Sequence, residues 1–66
     1  MINESKVLEV VKTVTDKTAY FFEGTLFVET TDSSVAVTLF NVLREKVTAA
    51  LAFQRVGSET AYDFFG

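Results

Sequence analysis

The sequence predicts a small α+β domain of order αββαββ: a four-stranded antiparallel sheet with two helices packed on one face. Three observations carry that expectation. Apolar residues recur at spacings of three and four in two separate stretches. Each stretch is followed by two short aromatic and β-branched runs joined through a glycine. The chain has 66 residues, enough for one domain over 1–66 and no more. Helices gathered on one side of the sheet bury both helical stripes and one sheet face in a single core.

The first stretch runs from Glu4 to about Thr15. Val7, Val10, Val11 and Val14 share one side, with Leu8 beside them, while Glu9, Lys12 and Thr13 take the other. Asn3 stands where an N-cap belongs. Val and Thr are stiff at χ1 and favour strands, so the alternative fold replaces this helix with a strand.

Asp16 and Lys17 break the helical pattern. Thr18–Phe22 and Thr25–Thr30 then flank Glu23-Gly24, a hairpin signal in which Gly24 supplies the positive φ of the turn. A two-residue loop pairs Phe21 with Leu26, and a three-residue loop pairs Tyr20 with Leu26. In both registers Phe27 and Glu29 lie on the face opposite Leu26 and Val28.

Thr31-Asp32-Ser33-Ser34 is a helix start, with Asp32 or Ser33 accepting from the first free amides. The helix extends from about Ser34 to Val47. Val35, Leu39, Phe40, Val42, Leu43 and Val47 form its apolar face, which Val37 widens; Asn41, Arg44, Glu45 and Lys46 supply the polar side. Lys46 suits the negative end of the helix dipole.

The last segment is Ala49–Val56, a Gly57-Ser58 turn, and Glu59–Phe65. Glycine at the first loop position fits a type II′ turn. That register pairs Phe53 with Tyr62 and Leu51 with Phe64 on one face. Ala52 with Asp63 and Gln54 with Ala61 fall on the other. An offset of 33 residues brings Val14 onto Val47, Thr15 onto Thr48, Ala19 onto Ala52 and Gly24 onto Gly57. It suggests two similar helix–hairpin units, with or without a common origin.

Composition narrows the chemistry. The chain has no His, Cys, Trp or Pro. Disulfides and thiolate sites are excluded, and a structural zinc site lacks its preferred ligands. The paired carboxylates Glu29 with Asp32 and Glu59 with Asp63 match no metal-loop spacing, and Ser33-Ser34 beside Asp32 read as a helix cap, not a nucleophile. No glycine-rich phosphate loop is present. The expectation is a non-catalytic protein without cofactor, metal or small-molecule substrate. The opening Met1–Lys6 does not read as a signal peptide, and no stretch reaches the length of a membrane span, so the expected compartment is the cytoplasm.

Aromatics are the remaining signal. Adjacent strand residues point to opposite faces, so Tyr20, Phe21, Phe22 and Phe27 cannot all enter one core. A chain this short buries only about 60% of its unfolded surface, which makes a partner a welcome source of stability. The expected interface residues are Tyr20, Phe21, Phe22, Phe27 and Phe65, and the expected partner is a second copy or another protein. The alternative is single-stranded nucleic acid stacked on the rings. The net charge of −3 and the dispersed Lys and Arg argue against it.

The segment Glu59-Thr60-Ala61-Tyr62-Asp63-Phe64-Phe65-Gly66 resembles in outline the short acidic peptides, ending in paired aromatics, that dock into sliding clamps. Ser58 stands where such peptides begin with Gln, and Ala61 replaces their large aliphatic. That resemblance implies a docking tail. The reading from the Gly57-Ser58 turn is a final β-strand whose Tyr62 and Phe64 fill the core.

Overall fold

Side-chain oxygens start both helices. Asn3 Oδ1 accepts from the Lys6 amide at 3.1 Å, and Asp32 Oδ1 accepts from the Ser34 amide at 2.9 Å. In the computed structural model, which describes residues 2–65, they open α1 (Glu4–Val14) and α2 (Ser33–Lys46). The strands are β1 (Ala19–Phe22), β2 (Thr25–Val28), β3 (Leu51–Val56) and β4 (Glu59–Phe64). The element order is therefore αββαββ.

The first segment is a helix despite its valines. Val7, Val10 and Val11 are buried together, and a strand would send Val10 to the side opposite Val7 and Val11. Burial of one apolar stripe outweighs the small intrinsic preference of valine for strands. In α2 the cap is Asp32, so Ser33 is already helical. Ala36, outside the predicted apolar face, is buried beside Leu39 and Leu43.

All strand pairs are antiparallel, in the order β1-β2-β4-β3. Both hairpins turn through two residues. Phe21 pairs with Leu26 across the first, and Phe53 pairs with Tyr62 across the second. Glu23 (φ 50°) and Gly24 (φ 81°) both occupy the left-handed region, as a type I′ turn demands. At the second turn only Gly57 (φ 62°) does so, in keeping with type II′. The inner strands join through Leu26↔Tyr62, Phe27↔Ala61 and Val28↔Thr60.

An offset of 33 aligns neither the helices nor the hairpins. The turns Glu23-Gly24 and Gly57-Ser58 are 34 residues apart, while the caps Asn3 and Asp32 are 29 apart. At 33, inward-facing Ala19 would fall on outward-facing Ala52, because a one-residue slip reverses every side chain of a strand. The identities at that spacing do not mark structurally equivalent positions in the hairpins. The halves do share an arrangement: α1 lies over the edge strand β1, and α2 over the edge strand β3.

The core draws Val7, Val10 and Val11 from α1, Leu39 and Leu43 from α2, and Leu26, Val28, Leu51 and Tyr62 from the sheet. Both helices thus cover the same face. Tyr62, on inner strand β4, is 0% exposed, and its hydroxyl donates to the Ala36 carbonyl of α2 at 2.8 Å. Its ring stacks on Phe53 (centroids 5.5 Å), which meets Phe40 of α2 (4.9 Å). The Arg44 guanidinium closes that column, 5.3 Å from the Phe40 centroid. Burial pushes the Tyr62 hydroxyl far above the usual tyrosine range, so it stays neutral and a donor. The buried Thr60 hydroxyl donates to the Thr30 carbonyl at 2.9 Å, and Thr30 Oγ1 accepts from the Asp32 amide at 3.1 Å. Among the described residues, no buried side-chain polar atom lacks a partner.

Residues Glu59–Phe64 of the segment that resembles a clamp-docking peptide form β4, an inner strand with Tyr62 fully buried and Phe64 packed against the core, while Gly66 lies outside the described residues. That stretch is built into the sheet and is not a free tail.

Two outcomes follow from this packing. Glu23→Asn relieves a left-handed glutamate and creates the Asn-Gly pair preferred in type I′ turns; urea unfolding should show a gain of about 0.5–1 kcal/mol. Tyr62→Phe keeps the ring and removes the donor to Ala36; the same measurement should show a loss of about 1 kcal/mol.

Candidate interaction face

Strand alternation determines what the uncovered face carries. With Phe21, Leu26 and Tyr62 directed at the helices, their strand neighbours point away. The register sets these outer residues in rows across the sheet. The central row is Tyr20, Phe27, Ala61 and Gln54; beside it run Phe22, Thr25, Asp63 and Ala52. Glu59 and Val56 form the third row. The Glu29 amide donates to the Thr18 carbonyl at 2.9 Å, continuing the β1–β2 ladder by one step and bringing Glu29 toward that third row. The Phe65 amide likewise donates to the Ala50 carbonyl at 2.8 Å, and alternation from Asp63 sets Phe65 on the outer side.

Four of the five predicted interface aromatics therefore share this face. Phe22 is 59% exposed, Phe65 71% and Tyr20 38%. Phe27 is half-buried because Tyr20 lies over it, the rings 5.5 Å apart and 16° from parallel. Phe21 is the exception. The two-residue turn makes it the partner of Leu26, and partners across an antiparallel pair share a face. It points at the helices and lies 6.1 Å from Phe64. Phe21 is a core-side ring and not part of the outer face.

The polar groups of the face are organised. The Tyr20 hydroxyl donates to Glu59 Oε2 at 2.8 Å, and Thr25 Oγ1 donates to Asp63 Oδ1 at 3.0 Å. Both bonds cross from the first hairpin to β4 and tie the halves together on the outer side. Glu59 and Asp63 are thus held by hydroxyls and not by each other. Asp32 caps α2, with Ser34 Oγ donating to it at 2.9 Å, so Asp32 and Ser34 act together as a cap. Among the described residues, no three carboxylates converge to hold a metal ion. Ala61 faces outward opposite Gln54, as the predicted second-hairpin register has it; it sits between Gln54 and Phe27 and is only 3% exposed. Its contact with Phe27 depends on the β2–β4 pairing, for which a single sequence carries no local signal.

Charge is unevenly distributed. None of the ten outward strand positions is Lys or Arg. Lys6, Lys12, Arg44 and Lys46 belong to the helices, Lys17 to the link before β1, and Arg55 to a helix-side position of β3. The hydrogen bond to Glu59 holds the Tyr20 hydroxyl above its ordinary value, reinforced by partial desolvation and the charges of Glu59 and Glu29. A hollow of about 330 Å³ between the start of α1 and the end of α2 carries Lys6 and Lys46, well away from the aromatic rows. Among the described residues, no helix is long and apolar enough to cross a membrane.

No protein-family model, curated protein or solved structure matches this chain. The face is therefore read from its own chemistry.

Tyr20 provides a titration test. Its raised value in the fold means that its contribution to stability is complete below the ordinary tyrosine range and is lost as pH rises through the folded value. Glu59→Gln removes the charge and should bring the Tyr20 transition down toward 10 in a spectrophotometric titration. An unchanged transition would contradict the assigned hydrogen bond.

Proposed function

We propose that this protein is a non-catalytic protein-interaction module that binds through the outer face of its sheet, with self-association as one use of that face. The observation that carries the reading is the group of aromatic side chains Tyr20, Phe22, Phe27 and Phe65 on a face that neither helix covers. Such rings lose little conformational entropy on binding and bury large areas. Phe22 and Phe65 are the anchors a partner reaches first, because they are the most exposed.

Size supports the same conclusion. A standard interface takes about 800 Å² from each partner, about a fifth of the 4184 Å² surface. One face must then be engaged over most of its extent, acids included. Single-stranded nucleic acid is the weaker reading for that reason: the rings suit base stacking, but Glu59 and Asp63 lie among them where phosphates would pass.

Sedimentation over a range of concentrations tests the assignment. Wild type should gain mass as concentration rises, and Phe22→Asp should remain a monomer. Urea unfolding should find that variant within about 0.5 kcal/mol of wild type, since Phe22 is an exposed edge-strand residue. A variant that associates like wild type would place the contact elsewhere.

A further inference from the structure

We propose that the preferred occupant of the outer face is a Lys- or Arg-bearing amphipathic segment of another protein, not a second copy of this chain. The inference rests on the outer face being the binding surface and adds the chemistry of the partner. Any occupant large enough for a standard interface covers Glu59 and Asp63 along with the rings. Each carboxylate accepts one hydrogen bond from a neutral hydroxyl, Tyr20 or Thr25, and keeps its charge and remaining lone pairs. Covering a carboxylate without a countercharge is costly, so the face itself or its occupant must supply the cation.

The face supplies none, since its strand positions contain no Lys or Arg. A second copy docked face to face brings the same acids and no base, placing like charges in one desolvated layer. A cationic segment meets the opposite condition. Its Lys or Arg heads reach Glu59 and Asp63, which their hydroxyl donors hold in position. Its apolar side chains cover Phe22, Phe27 and Phe65. An Arg guanidinium can also lie over an aromatic face, as that of Arg44 does over Phe40 within this protein. Self-association through the face is then weak, and binding of the basic segment is the stronger event.

The test is an amide NMR titration of the full chain with two synthetic peptides of one apolar pattern, one with Lys and Arg at its polar positions and one with Glu there. Three proteins are compared: wild type, the Glu59→Gln/Asp63→Asn double variant and Phe22→Asp. The double variant keeps each hydroxyl a carbonyl acceptor, and its own amide spectrum reports that the fold is intact. The expected result is that the basic peptide shifts amides of β1, β2 and β4 in wild type. It should bind the double variant at least about tenfold more weakly, and the acidic peptide should bind wild type more weakly by a similar factor or more. Equal affinity for both peptides, or undiminished binding to the double variant, overturns the cationic preference. If Phe22→Asp still abolishes binding in that case, the face remains the interaction surface. Basic-peptide shifts confined to the helices overturn the face assignment itself. Tighter binding of a single-stranded oligonucleotide than of the basic peptide overturns the protein-partner reading.

Discussion

The inward direction of Tyr62 is the constraint on which the rest of the structure depends. It lies on an inner strand, so its parity passes to its neighbours on both sides: Leu26 across one ladder and Phe53 across the other. Once this ring enters the helix layer, Phe21 must follow Leu26 inward, and Tyr20, Phe22 and Phe27 must face out. The hydroxyl adds a second restriction. It reaches the Ala36 carbonyl, which fixes how α2 lies over β4. A neutral, fully buried donor tolerates little movement, since a lost bond leaves a polar atom without water.

The outer face follows from this parity. A domain of this size has one core, and helices and sheet together fill it with aliphatic side chains, the Tyr62–Phe53–Phe40 column and the Phe21–Phe64 pair. Rings of the wrong parity stay at the surface. The hydroxyls of Tyr20 and Thr25 hold carboxylates between them, and all strand-borne positive charge lies on the other side. The molecule therefore has two chemically different sides: a helical side with mixed charge, and a sheet side that is aromatic and acidic. The asymmetry favours an occupant of opposite charge over a copy.

Local signals in the sequence were sufficient for much of the fold. The caps at Asn3 and Asp32, the glycine turns and the second hairpin register are all written in neighbouring residues. The first hairpin was ambiguous because Glu23-Gly24 admits two loop lengths, and only one sends Phe21 inward. The choice needed a left-handed Glu23, which residue preference opposes. The burial of Ala61 and the reach of Tyr20 to Glu59 depend on β2 lying beside β4, a pairing between distant segments. Ala36 escaped notice because a small side chain adds little to an apolar pattern, yet its carbonyl anchors Tyr62. The two helix–hairpin units share an arrangement, but the hairpins lie 34 residues apart, so by strand parity the identities at 33 do not align equivalent positions.

The seam between β2 and β4 has a consequence for how the molecule comes apart. Each helix–hairpin half contributes only part of the apolar cluster, and the contacts that complete it join residues more than thirty positions apart. Neither half encloses a core of its own. Loss of order in one half strips the other of its lining, so the chain should melt as one cooperative unit, with no half-folded species of appreciable population.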